Sequence, residues 1–151
     1  GLSQYQEMHG RNFWPDFVEE ERKRGERMIA FTKNISWIVA FAPMGVFDII
    51  GVLGGVRSPE EIHGDLLQDL VSGILNVMRY IDSLNMTSLN MSIYFLKDNN
   101  LFTPHIRICP RVSIPPFDTS QINYMGMLHS ETLTILKPED ICVGIIPMWD
   151  N

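Results

Sequence analysis

Between Asp65 and Leu84 the apolar residues Leu66, Leu67, Leu70, Val71, Ile74, Leu75, Val77, Met78, Ile81 and Leu84 recur at helical spacing. That period predicts one long α-helix with a wide buried face. A face so wide needs a broad partner, and β-rich segments flank the helix on both sides. Arg27 to Phe31, Ser36 to Phe41 and Val46 to Leu53 precede it, and Ser88 to Leu96 and Thr103 to Cys109 follow. Lys33-Asn34 and Asp98-Asn99-Asn100 are hairpin turns by composition. The expected architecture is α+β: an antiparallel sheet of about five or six strands, with the long helix and a shorter N-terminal helix packed on it. The helices are expected on one face.

The flanking segments add detail. Pro15 to Arg24 reads as the short helix, ended by Gly25. Its Glu19-Glu20-Glu21 and Arg22-Lys23-Arg24 runs predict a solvated face. Ser58-Pro59-Glu60-Glu61 has the pattern of a capping box for the long helix, with Gly64 interrupting the start. Ile114 to Phe117 reads as an irregular loop, Leu133 to Leu136 as a final strand, and Pro138-Glu139-Asp140 as the opening of a short helical turn.

At 151 residues the chain fits a single domain, residues 1–151, large enough to bury a core. A net charge of −6 argues against a nucleic-acid partner, because neutralising phosphates takes a surplus of Lys and Arg. No apolar run reaches membrane-spanning length and no signal peptide is visible, so a cytoplasmic protein without a membrane partner is expected. Cys109 and Cys142 lie among apolar neighbours and read as buried free thiols. Gly1 in place of Met points to an excised fragment or a cleavage scar.

The strand ending His105-Ile106-Arg107-Ile108-Cys109-Pro110-Arg111 carries the chemistry-bearing residues. Residues i and i+2 share a face of a strand, which pairs His105 with Arg107. Pro110 is expected to interrupt the strand before Arg111. A His-Arg face can meet a phosphate, or bond a neighbouring carboxylate. His129-Ser130-Glu131 holds a base, a nucleophile and an acid, but consecutive strand residues point to alternate faces, so no triad is expected. The nine methionines, among them Met78, Met86, Met91, Met125 and Met127, read as core fillers more than as a partner surface, with an exposed position open to Met125 and Met127, which flank Gly126.

Several of these segments resemble, in order and spacing, the second half of the galactose-1-phosphate uridylyltransferase family, a member of the histidine-triad (HIT-like) superfamily. They are Gly25-Glu26-Arg27-Met28-Ile29-Ala30, Trp37-Ile38-Val39-Ala40-Phe41-Ala42-Pro43, Phe47-Asp48-Ile49-Ile50, His105 to Arg111, and Leu136-Lys137-Pro138-Glu139-Asp140. The likeness runs from about Tyr5 to Cys142. The family transfers uridylyl groups between hexose 1-phosphates through a nucleophilic histidine in a His-Pro-His motif. That motif belongs to the first half, and this chain has none. The resemblance places Thr103 and Tyr94 where histidines of a supporting metal site are expected, and Arg107 where a glutamate is. Asn12-Phe13-Trp14-Pro15 replaces a cysteine pair, and Leu53-Gly54-Gly55-Val56 replaces a Lys-His element. One histidine with a Tyr and a Thr does not make a metal site.

The resemblance therefore implies a degenerate uridylyltransferase-like domain. It would be non-catalytic alone, without catalytic residues, metal or cofactor, and would serve as a nucleotide- or sugar-phosphate-binding or pairing domain. His105, Arg107, Arg111 and Tyr94 are the ligand-binding candidates. The alternative is an active nucleotidyltransferase or nucleotide hydrolase with an unconventional site around His105. Either version implies a homodimer or a sister HIT-like domain as partner.

Overall fold

A computed structural model describes residues 1–111, 113–114, 117–120 and 136–150, with the side chains of 113–114 and 117–120 left aside. Helices α1 (Leu2–His9) and α2 (Phe13–Arg24) precede strands β1 (Met28–Phe31), β2 (Ile35–Val39) and β3 (Ile49–Leu53). A 3-10 turn at Pro59–Glu61 leads to α3 (Gly64–Ser83). Then come β4 (Ser88–Tyr94), β5 (His105–Arg111), the short pair β6 (Ser113–Ile114) and β7 (Phe117–Ser120), and α4 (Pro138–Ile145), followed by a 3-10 turn at Ile146–Trp149. The expected strand at Leu133 to Leu136 lies outside the described residues, apart from Leu136.

The main sheet has five antiparallel strands in the order β1-β2-β3-β5-β4. The chain leaves β3, crosses over α3, forms the edge strand β4, and returns as β5 between β4 and β3. This insertion places β5 at the interior of the sheet. Pro110 does not end β5. It lies past Ile108, which pairs with Ile49 at the start of β3, and its strand partner among the described residues is Leu89 of β4. A proline is accommodated at such an edge-like position.

Every residue of β2 and β3 is buried, so both faces of the sheet are covered, not one. On one face α3, α4 and the closing 3-10 turn pack over Ile35, Trp37, Val39, Ile49, Leu53, Ile106 and Ile108. On the other, Trp14, Phe17 and Val18 of α2 pack on Ile38, Ala40, Ile50 and Val52. The near-continuous apolar runs of β2 and β3 follow from this double cover.

Trp37 fixes the spacing of the larger layer. Its side chain is fully buried. A methyl group placed on Gly73 of α3 would come within 2.2 Å of the ring, and one on Gly51 of β3 within 2.9 Å. The indole thus fills the space that two glycines leave open, one on the helix and one on the neighbouring strand. Gly73 costs α3 about 1 kcal/mol in helix propensity, which the approach of helix to sheet offsets.

The other face meets the C-terminal helix through an ion pair. Arg27, nearly buried, donates to Glu21 of α2 at 2.9 Å and to Glu139 of α4 at 2.8 Å. Glu21 therefore departs from the solvated run predicted for it, while Lys23–Glu19 and Arg24–Glu20 form the exposed i,i+4 pairs of that run. The capping box at Ser58 is likewise not formed. Pro59–Glu61 makes its own 3-10 turn, and α3 begins afresh at Gly64 with φ +54°.

Gly73→Ala is expected to destabilise the protein by about 1–3 kcal/mol in urea unfolding despite alanine's helix propensity, because the buried ring has nowhere to move. Arg27→Ala is expected to cost about 3–5 kcal/mol by the same measurement, since it strands the buried Glu21 carboxylate.

Candidate functional site

His105 opens β5 on the face covered by α2, directly opposite Val52 of β3 and Tyr94 of β4. It is buried, and three aromatic rings surround it. Trp14 lies 4.2 Å away between ring centroids, Tyr94 stacks at 5.0 Å and 19°, and Phe102 lies at 5.3 Å. The cross-strand register supplies Tyr94, α2 supplies Trp14, and the turn before β5 supplies Phe102.

The imidazole is held in one orientation. Its Nδ1 lies 3.0 Å from the carbonyl oxygen of Thr103. A carbonyl only accepts, so Nδ1 carries the hydrogen, and in the neutral ring Nε2 keeps the lone pair. Burial lowers the pKa of His105, and the nearby Arg107 guanidinium adds to this; the Thr103 bond and Asp48 oppose it. A neutral ring at neutral pH follows.

Arg107 shares this face, but its guanidinium forms an ion pair with Asp48, which is fully buried. Asp48 also accepts from the backbone N–H of Met44 at 3.4 Å. Burial pushes the Cys109 thiol up to about 12, and its contact with the Asp48 carboxylate adds to the rise, so the thiol is unreactive at neutral pH. Cys142, buried against the other layer, is pushed up to about 11 for the same first reason. Arg111 sits half-buried at the far end of β5, six residues from His105, or about 20 Å along an extended strand.

The structure thus joins His105 with Tyr94, turns Arg107 to Asp48, and leaves Arg111 remote. Trp14, Phe102 and Asp48 escaped the residue-by-residue reading of the sequence. Trp14 stands at the place of a lost cysteine pair, and Asp48 lies inside the Phe47-Asp48-Ile49-Ile50 segment; position in those motifs was the available signal. His129-Ser130-Glu131, Met125 and Met127 lie outside the described residues.

Two cavities flank the box. One, of about 320 Å³, is lined mainly by apolar groups including Trp14, Val18, Phe31 and Val52. The other, of about 510 Å³, lies between the loop after β3 and the β4–β5 turn. Gly55 and Thr103 line both. Among the described residues no three His, Cys, Asp or Glu side chains converge as metal ligands, and no helix is long and apolar enough to cross a membrane.

The backbone resembles solved uridylyltransferases. The structure of a uridylyltransferase mutant superposes with a TM-score of 0.73 over 99% of this chain and 50% of that one, at 13% sequence identity. A second uridylyltransferase structure gives the same TM-score over 48% of its length. An uncharacterised protein of Archaeoglobus fulgidus is 28% identical over 154 residues, spanning 98% of this chain and 44% of that protein. No protein-family model matches. The chain spans about half the length of the proteins it matches, and at such low identity the structural likeness is one of fold: the chain has a uridylyltransferase-like α+β fold.

A His105 signal followed by NMR is expected to titrate below 6.5, the ordinary histidine value. Because folding lowers this pKa, the stability tied to the neutral ring is present above about pH 6.5 and is lost as pH falls toward the folded-state value. Urea unfolding from pH 5 to 8 should show that slope in the native protein, and His105→Phe should flatten it.

Proposed function

We propose that this chain is a degenerate HIT-like domain of the uridylyltransferase kind, non-catalytic by itself. It binds a nucleotide or a sugar phosphate and pairs with a sister domain or a second copy. The observation that carries this is the setting of His105. Its Nδ1 is oriented by a backbone carbonyl, the cation beside it is taken up by Asp48, and aromatic rings enclose it. General acid–base or nucleophilic work calls for an orienting acid and a group to stabilise developing charge. At His105 those places are occupied by packing.

The alternative, a nucleotidyltransferase or hydrolase with an unconventional site, has one observation in its favour. A neutral imidazole with a lone pair on Nε2 is the protonation state that a base or nucleophile requires.

Pairing is supported by the surface. Among the described strands β4 is the outermost, with Met91 and Ile93 exposed, and Leu67, Val71, Leu75 and Met78 form an exposed apolar stripe along α3. Water-facing apolar area of this kind is characteristic of association surfaces.

The test is a thermal-shift screen with uridine and adenine nucleotides and hexose 1-phosphates, run beside a turnover assay and light scattering. Stabilisation by a phosphorylated compound, about 2.7 kcal/mol at a hundred times its dissociation constant, with no product formed and a dimer in solution, is expected. Turnover that disappears in His105→Ala would establish the enzyme instead.

A further inference from the structure

Acidic residues outnumber basic ones by 18 to 12 in this chain, and several of the cations are spent on carboxylates: Arg11 on Asp16, Lys23 on Glu19, Arg24 on Glu20, Arg27 on Glu21, and Arg107 on Asp48. Arg22, Lys33, Arg79, Arg111 and Lys137 also form no ion pair among the described residues, so Arg57 and Lys97 stand out by where they lie. Both line the cleft of about 510 Å³, and neither has an ion-pair partner among the described residues. They come from separate parts of the chain. Arg57 lies in the loop leaving β3 and Lys97 in the turn joining β4 to β5, and the insertion of β5 between those strands brings the two loops together.

Backbone bonds fix both walls. The N–H of Leu53 donates to the carbonyl of Pro104 at 2.9 Å, and that of Gly54 to the carbonyl of Asn34 at 3.0 Å. Across the cleft, the Leu101 N–H donates to Asn99 Oδ1 at 2.9 Å, and the Phe102 N–H to the Asn99 carbonyl at 3.3 Å. With its side-chain oxygen engaged, Asn99 has amide N–H donors left to offer. Asp98 adopts φ +56°, a left-handed conformation uncommon outside glycine, and its carboxylate lines the cleft with them.

We infer that this cleft binds the phosphate monoester of a small polar molecule. Arg57 and Lys97 grip the phosphate from opposite loops, and Asn99 and Asp98 meet hydroxyl groups while Phe102 offers a flat wall. Two cations that line one cleft from two loops, without an ion-pair partner among the described residues, match a dianion with three terminal oxygens better than a single carboxylate. The volume lies in the range of small-molecule sites, about 300–1,000 Å³. The inference rests on the nucleotide- or sugar-phosphate-binding reading above and sharpens it, because it places the ligand on two loops instead of on the His105 strand.

Calorimetric titration of the whole chain with uridine 5′-monophosphate and a hexose 1-phosphate, and with uridine and the free hexose, tests it. The phosphorylated compounds are expected to bind at least about tenfold more tightly than their unphosphorylated counterparts. Arg57→Ala and Lys97→Ala, both at exposed positions, should each weaken binding about tenfold, the loss of one charge-assisted hydrogen bond. His105→Gln should leave the affinity within about twofold. Phosphorylated compounds that bind equally well to the Arg57 and Lys97 variants would overturn the cleft and leave the functional reading standing. A loss seen only in His105→Gln would return the ligand to the aromatic box and overturn it too. Failure of every compound to bind would overturn both.

Discussion

The indole of Trp37 sets the geometry on which the larger half of the core depends. It stands on the second strand of the sheet, and Gly51 and Gly73 are the two places where its bulk is accommodated. The helix can approach the sheet only where it has no side chain, so the position of Gly73 sets where α3 sits above β2 and β3. Close packing makes such a contact all-or-none: a ring with backbone on both sides cannot yield gradually. The crossover through α3, the edge position of β4 and the interior position of β5 all follow once that helix is seated.

The opposite face is built differently. There the sheet presents Ile38, Ala40, Ile50 and Val52 to α2, and His105, Arg107 and Cys109 continue the same face along β5. The polar residues on it are only partly paired, for Trp14 Nε1 and Arg107 Nε are buried without a hydrogen-bond partner among the described residues. Asp48 neutralises Arg107, and the Thr103 carbonyl orients His105. Bonding capacity therefore remains on this face, at those two atoms and at the Nε2 lone pair of His105. The loops around the end of the sheet carry further polar groups, Arg57, Lys97 and Asn99 among them.

The periodicity of residues 65–84 identified α3 to within a residue, and the turn chemistry of Lys33-Asn34 and Asp98-Asn99 placed two hairpins, because both signals are local. β2 and β3 are shorter than their apolar runs, since Phe41, Val46 and Phe47 are apolar for reasons other than strand pairing: Val46 and Phe47 are buried in irregular backbone. Glu21 looked like its solvated neighbours because nothing in a Glu-Glu-Glu run marks the one that will face Arg27. The stack on His105 was half apparent, in that Tyr94 occupies a position aligned with a histidine. Trp14 was not, because its contact depends on how α2 lies across the sheet. Pair contacts between distant elements leave no periodic trace in a sequence.

Arg27 joins α2 to α4 across 112 positions of sequence. During synthesis β1 and α2 precede α4, so Arg27 is made beside Glu21 and Glu26 before Glu139 exists. The long closure cannot form before residue 139 has been made. Until it forms, one side of the core stays open to water, and the partly folded chain presents the apolar residues that α4 will cover, Ile29 and Tyr80 among them. A single guanidinium thereby makes this part of the fold dependent on α4, and before that helix is made the apolar residues it covers are open to misassembly.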